Sequence, residues 1–405
     1  MACVSLHCAM ASLSMASSSA VRTQSSSSSS ASSGPEFRRA SLPLKCNFRG
    51  EDLCPSLRAV SGHIHIRELK SNAVSSTTAT PVRMAQSAQE VQTATQISKP
   101  TKMIVSITGA TGFVGSRLVK KLVEDGHTVR VLTRSASKAR AIFPERTFKN
   151  VEIAEQADWA SCIAGSTGVV NLAGTPISVR WTPEVKKDIM DSRVSVTSKV
   201  VEAINAAPED QRPSVFISAT AVGFYGSTSE VSAFDETSPA GKDYLAEVCQ
   251  EWEAKAQALT DGVRLVRLRI GIVLDKDGGA LAQMVPLFKI FAGGPIGSGK
   301  QWFSWVHRDD LVALIVEALN NPEYEGVING TAPNPVRFTE LCDRIGAVLG
   351  RPSWLPVPDF ALKAVLGEGA LVVLEGQRVL PKRAQELGFR FKYQYVTDAL
   401  RAILT

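Results

Sequence analysis

MIVSITGATGFVG, residues Met103–Gly115, runs from a short apolar segment through a Gly-punctuated turn into a helical pattern. Met103–Ile107 is apolar and β-branched, suited to one buried parallel strand. Thr108-Gly109 turns the chain, and Phe113–Val123 then carries Val114, Leu118, Val119 and Leu122 on one side of a helix. Glycines at 109, 112 and 115 give G-x-x-G-x-x-G between strand and helix. Gly109 would permit the tight turn, Gly112 would let the backbone approach a diphosphate, and Gly115 would let helix and sheet pack closely. The diphosphate would meet the free N–H groups at the positive helix end. A bare glycine pattern is weak, but this one has the flanking strand and helix that mark a dinucleotide site. Gly109, Thr111, Gly112, Phe113, Val114 and Gly115 are its expected residues.

The next strand, Thr128–Thr133 (TVRVLT), would end at the adenosine ribose. An acidic residue there bonds the 2′-hydroxyl and repels a 2′-phosphate, whereas an arginine does the reverse. The chain reads Thr133-Arg134-Ser135, followed by Lys138 and Arg140, with no acid between Asp125 and Glu145. Arg134 could pair with the phosphate and stack on adenine. NADP(H) is therefore expected over NAD(H), with Thr133, Arg134 and Ser135 in contact. Val151–Ala154 is a weak third strand, and Val169–Gly174 (VVNLAG) a clearer fourth. Its end, Asn171, Leu172, Ala173 and Gly174, would pass beside the nicotinamide half. A long helix is expected over Thr182–Asn205, with Lys187 and Arg193 on a solvated face. Ser214–Ala221, the helix Asp243–Leu259 and the strand Arg264–Val273 complete an alternation that predicts an α/β fold, a Rossmann-type doubly wound parallel sheet.

Gly293–Asp310 holds two tryptophans in a Gly-rich loop, either a ligand rim or a structural closure, before a helix from Leu311. From Thr331 prolines punctuate short helices, and a small, mostly helical C-terminal lobe is expected over 331–405, after a dinucleotide-binding domain over 101–330. In the last helix Val396, Ala399, Leu400, Ile403 and Leu404 share a face, which would dock on its own lobe or attach to a membrane surface.

The chain of 405 residues carries a net charge of +6, of which the first hundred residues supply +5. The rest is nearly neutral and offers no nucleic-acid footprint. Cys162, Cys249 and Cys342 are widely separated, without metal or redox spacing, which suits a reduced compartment. Residues 1–35 contain Ser25–Ser30, Arg22 and no acid. Basic, Ser-rich and acid-poor is transit-peptide composition, here favouring a plastid, and low-complexity sequence continues to about Pro100.

Together these residues resemble an atypical extended short-chain dehydrogenase/reductase, in the sugar-nucleotide-epimerase-like branch whose chloroplast members include the "giant chloroplast" protein. The marks are TGATGFVGS (108–116), NLAGTPI (171–177), SATAVGFYG (218–226), DYLAEVCQEWE (243–253), GSGKQWFSWVHRDD (297–310), NGTAPNPV (329–336) and SWLPVPDFALKAVLGEGA (353–370). The resemblance implies a nicotinamide cofactor, a location in the stroma or at the inner envelope with peripheral membrane association, and a role in plastid division. Homodimerisation through the helices near 182–205 and 243–259 is a further implication.

Active members of the superfamily use a Ser or Thr after the fifth strand and a Tyr-x-x-x-Lys on the next helix. By resemblance the catalytic candidates are Thr220 and Tyr244, but Val248 stands where the lysine belongs. An untuned phenol of pKa near 10 is only about 0.1–1% ionised at pH 7–8, so acid–base work would need another cation. Tyr225 is a second candidate acid or a packed loop aromatic. Two readings follow: an NADP-dependent oxidoreductase or epimerase with an unidentified substrate, or a catalytically weak nucleotide-binding scaffold.

Overall fold

The computed structural model describes residues 102–227 and 232–405; the transit peptide and disordered linker expected over residues 1–100 lie outside them. The first half alternates strand and helix: β1 (Ile104–Thr108), α1 (Phe113–Glu124), β2 (Thr128–Leu132), α2 (Ala136–Ile142), β3 (Val151–Ala154), α3 (Trp159–Ile163), β4 (Gly168–Asn171), α4 (Pro183–Ala206), β5 (Val215–Ala221), α5 (Tyr244–Gln257) and β6 (Arg264–Ile270). Then come β7 (Ile272–Asp275), α6 (Gly279–Lys289), β8 (Trp302–Phe303), β9 (Trp305–His307), α7 (Arg308–Asn320), β10 (Gly326–Gly330) and β11 (Val336–Arg337). The chain closes with α8 (Phe338–Leu349), α9 (Asp359–Leu366), α10 (Leu371–Leu374), α11 (Lys382–Glu386) and α12 (Val396–Leu404).

Seven strands form one parallel sheet in the order β10-β6-β5-β4-β1-β2-β3. The order reverses between β1 and β4, so loops leaving these neighbours part to opposite faces and open a crevice at their carboxyl ends. This is the doubly wound sheet expected. Helices cover both faces because the central strands are apolar on both sides: β4 is buried throughout and β5 at all but its last residue.

The sequence pattern runs Arg264–Val273 as one strand, but the structure breaks it at Gly271. A Cβ at Gly271 would lie 2.4 Å from the Ser304 carbonyl oxygen, so the chain can kink there only as glycine. β7 leaves the main sheet and pairs in parallel with β9, while β8 pairs antiparallel with β11. The Gly-rich segment 293–310 is thereby built around short strands, and α7 begins at Arg308, three residues before the expected start. His307 caps it, its Nδ1 accepting the Asp309 N–H at 3.0 Å.

A second apolar core sits under the C-terminal helices. Leu274, Leu281, Phe288, Phe303 and Trp305 join Leu341, Ile345, Val396, Ala399, Leu400 and Ile403. The lobe thus recruits residues from 272 onward. The apolar stripe of α12 docks here, on its own lobe, which removes it as a membrane-facing surface.

Candidate active site

Gly109 adopts φ +67°, and a Cβ there would meet the Leu172 carbonyl oxygen at 2.5 Å. Only glycine allows β1 to turn this close to the end of β4. Gly112 caps α1 without a side-chain hydrogen bond, and the first turn holds no acid. The first N–H groups of α1 are thus left for an anion. Gly115 packs α1 against its own turn rather than the sheet: a Cβ would lie 2.3 Å from the Gly109 oxygen.

A trough of about 200 Å³ follows the carboxyl ends of β1, β2 and β4. Of the expected cofactor residues, Gly109, Thr111, Gly112, Thr133, Arg134, Leu172, Ala173 and Gly174 line it. Phe113, Val114, Gly115, Ser135 and Asn171 do not. Phe113 turns away to pack over Gly278 beneath Arg308, whose guanidinium carbon is 4.9 Å from the ring centroid. Ser135 caps α2 through the Lys138 N–H. Asn171 is a buried tie: it accepts from Thr108 Oγ1 and donates to Thr197 Oγ1, joining β1, β4 and α4. Thr108, Leu132, Trp159, Thr175, Ser192 and Val196 line the trough without having been expected.

Arg134 is exposed at the β2 end of the trough and has no ion-pair partner among the described residues. It also lines a neighbouring cleft of about 390 Å³ with Trp159. An exposed guanidinium at the end of β2 suits a phosphorylated ribose. The residues present therefore fit an NADP-type dinucleotide.

At the β5 end lies a second, mostly apolar cavity of about 190 Å³. Consecutive strand residues point to opposite faces. Ala221 faces this cavity, whereas Thr220 is buried and donates to Glu253 Oε1 at 3.0 Å. Helix α5 turns Leu245, Val248, Cys249 and Trp252 toward the cavity, and Tyr244, one turn before Val248 at the edge of that face, does not line it. The Tyr244 hydroxyl donates to the Lys186 carbonyl, and its ring packs edge-on against Trp181, 5.3 Å between centroids.

The structure therefore does not present Thr220 and Tyr244 together to a substrate. Both hydroxyls are spent inside the protein. Burial pushes the Tyr244 phenol above its ordinary value, opposite to what an acid–base tyrosine needs. Two cations approach it: Lys186, 5.2 Å from the ring centroid, whose ammonium pairs with Glu368, and Arg193, whose charge opposes the burial effect without overcoming it. Val248 belongs to the same apolar cluster. Tyr225 is a packed aromatic: burial pushes its hydroxyl up to about 12, and it donates to Asn329 Oδ1 at 2.7 Å.

The solvated face expected for α4 holds at Lys187, which pairs with Asp191 in solvent. It fails at Arg193. That side chain lies under Gly174, sits 5.4 Å from the Trp252 ring centroid, and lines the apolar cavity. The signal was present, since Ile189, Arg193, Thr197, Val200 and Ile204 share one helical stripe.

Residues 105–329 match the model of the NAD dependent epimerase/dehydratase family, and residues 357–403 that of a domain of unknown function (DUF1731). The chain is 66% identical over 306 residues, 76% of its length and 88% of the relative's, to the chloroplastic epimerase family protein SDR39U1 homolog of Arabidopsis thaliana. It is 35% identical to the epimerase family protein YfhF of Bacillus subtilis, covering 75% of this chain and 98% of that one. The crystal structure of human epimerase family protein SDR39U1 with NADPH superposes with a TM-score of 0.68 at 33% identity, over 74% of this chain and 99% of that one.

Proposed function

The chain belongs to the NAD dependent epimerase/dehydratase family, and from that premise we propose that it is an NADP(H)-binding, epimerase-like oxidoreductase of the chloroplast. The observation that carries the cofactor is unpartnered Arg134 at one end of a trough whose centre is the uncapped start of α1. The NADPH in the human relative's structure and the word chloroplastic in the Arabidopsis relative's name support the same reading.

The α1 amides and Thr111 would bind the diphosphate, and Arg134 the 2′-phosphate. Ala173 and Gly174, without bulky side chains, would let the nicotinamide half pass toward the apolar cavity. When bound, the cofactor would give or take a hydride there. The walls contributed by Leu245, Val248, Ile270 and Ile272 would keep water from that position. Titration of the full-length protein with NADPH and with NADH tests the proposal. Preferential NADPH binding is expected; a folded protein that binds neither defeats it.

A second reading, a catalytically weak scaffold, is favoured by the internal hydrogen bonds of Thr220 and Tyr244. Under either reading, a role in plastid division at the inner envelope rests on the sequence resemblance. An exposed apolar patch with basic neighbours supports the membrane part: Ile290, Phe291, Trp354, Leu355 and Phe360, with Lys289, Arg351 and Lys363. Among the described residues no helix is long and apolar enough to cross a membrane, so attachment would be peripheral.

A further inference from the structure

The apolar cavity contains one cation without a counter-charge. Arg193 donates from Nη1 to the Ile189 carbonyl at 2.9 Å and to Ser192 Oγ at 3.3 Å, and from Nη2 to the Thr175 carbonyl at 2.9 Å. All three acceptors are neutral, and among the described residues no carboxylate pairs with it. A guanidinium has five N–H donors, so at least two remain. The other titratable groups lining the cavity do not neutralise it. Burial pushes the Cys249 thiol up to about 12, leaving it uncharged, and Glu375 is exposed at the rim. The adjoining outer cleft, which shares Ser227, Glu375 and Gly376 with the cavity, carries Lys300 and Arg337.

We propose that this cavity is a substrate site for a compact apolar molecule bearing a carboxylate, with Arg193 fixing the carboxylate and setting the specificity. A partly buried, unpaired cation costs desolvation energy that an anionic partner recovers, and an arginine fork matches a carboxylate bidentately. The size follows from the volume: at about 190 Å³ the cavity slightly exceeds the roughly 150 Å³ that accepts benzene in an engineered protein core. The body of the ligand would pack on Leu245, Val248, Trp252 and Ile272. Arg193 also lies under Gly174, a wall of the cofactor trough, so the anchored molecule would face the nicotinamide end. That last step rests on the cofactor reading above.

Calorimetric titration of the NADPH-loaded, full-length protein with benzoate and with isosteric, neutral benzamide tests the assignment. Benzoate is expected to bind at least tenfold more tightly, and Arg193→Gln, titrated at saturating NADPH because Arg193 also braces Thr175 in the trough wall, to abolish the difference while leaving benzamide binding within threefold. Ala221→Leu, which narrows the cavity but retains Arg193, is expected to weaken both ligands. Equal binding of the two ligands by the parent protein, binding of neither, or an undiminished preference for benzoate in Arg193→Gln overturns the proposal. Repeating the benzoate titration without cofactor separates it from the cofactor reading: if NADPH fails to bind but benzoate still prefers Arg193, only the latter falls.

Discussion

Arg269 and Glu253 form a two-pronged ion pair, Nε to Oε1 at 2.7 Å and Nη2 to Oε2 at 2.9 Å, with both side chains only 4% exposed. The pair links β6 to α5 and extends on both sides. Thr220 donates to the same carboxylate, and Arg269 Nη1 donates to the Tyr225 hydroxyl at 3.0 Å. Thr220 and Tyr225, both considered for chemistry, are thus members of a structural network that holds the strand end behind the cavity.

Replacing Glu253 by Leu should leave a buried guanidinium without a counter-charge. Removal of one partner from such a pair costs about 3–5 kcal/mol. A fall of that size in urea-unfolding free energy is expected, against a much smaller loss for Thr220→Val. Equal effects of the two substitutions would show that the ion pair does not dominate the network.

Tyr244→Phe removes a hydroxyl that serves the Lys186 carbonyl and leaves the ring packing on Trp181 intact. The expected cost is about 1 kcal/mol of stability, with NADPH affinity unchanged. Any turnover found for this protein should survive the substitution. A hundredfold loss of turnover in a folded variant would restore Tyr244 as the acid.

Arg134→Ala should weaken NADPH binding at least tenfold, about 1.4 kcal/mol, and leave NADH binding as it was. The exposed guanidinium makes no ion pair among the described residues, so its removal should not alter the melting temperature of the free protein. Parallel loss of both cofactors would mean that Arg134 does not read the 2′-phosphate.

Two buried imidazoles give stability a pH dependence. His307 Nδ1 accepts the Asp309 N–H and His127 Nδ1 accepts the Met103 N–H, so both rings must be neutral at that nitrogen. Burial holds both below the ordinary value of 6.5. In the window from the lowered folded value up to 6.5 the unfolded chain binds more protons, and stability falls as pH falls. Unfolding midpoints should be lower at pH 5.5 than at 7.5. His307→Asn keeps a capping side chain that cannot titrate, and should flatten the difference. The buried Asp310 carboxyl, raised by desolvation, acts in the opposite sense, so the comparison of variant with parent reads His307.

The features legible in the sequence are those that depend on neighbours along the chain. The glycine loop, the parallel alternation and the stripe of α12 are local patterns of spacing, and each keeps its meaning in three dimensions. The residues whose surroundings the sequence conceals depend on partners far away. Asn171 reads as a strand-end cofactor contact until Thr108 and Thr197 claim its amide, 63 and 26 residues away. Tyr244 reads as catalytic until the Lys186 carbonyl, 58 residues away, takes its hydroxyl. The break at Gly271 required the position of Ser304. Arg193 is intermediate: its stripe was readable, but a charged residue on an apolar stripe gains its meaning only from the cavity beside it.

The surface patch supports a last prediction, on membrane attachment. Trp354 donates from its indole to the Phe291 carbonyl at 3.1 Å, holding segments 290–291 and 354–355 together, yet Trp354 is 63% and Ile290 70% exposed. Phe360, 73% exposed, opens α9 a few residues further along. Arg351 lies over the Phe291 ring at 4.7 Å, so a basic group accompanies the apolar ones. Each large side chain moved out of water contributes about 1.5–3 kcal/mol, and each basic residue near an anionic surface about 1 kcal/mol. Several together suffice for peripheral attachment without a spanning helix. The full-length protein should co-sediment with vesicles rich in phosphatidylglycerol and much less with phosphatidylcholine alone. Trp354→Ser combined with Phe360→Ser should lower vesicle binding at least tenfold while leaving the melting temperature within a few degrees, because both rings are mainly solvated. Deleting α12 is the wrong test, since Val396, Ala399, Leu400 and Ile403 belong to the core and their loss would unfold the lobe. If the parent protein ignores both kinds of vesicle, the envelope reading fails. If the double variant binds as the parent does, the anchor lies elsewhere on the molecule.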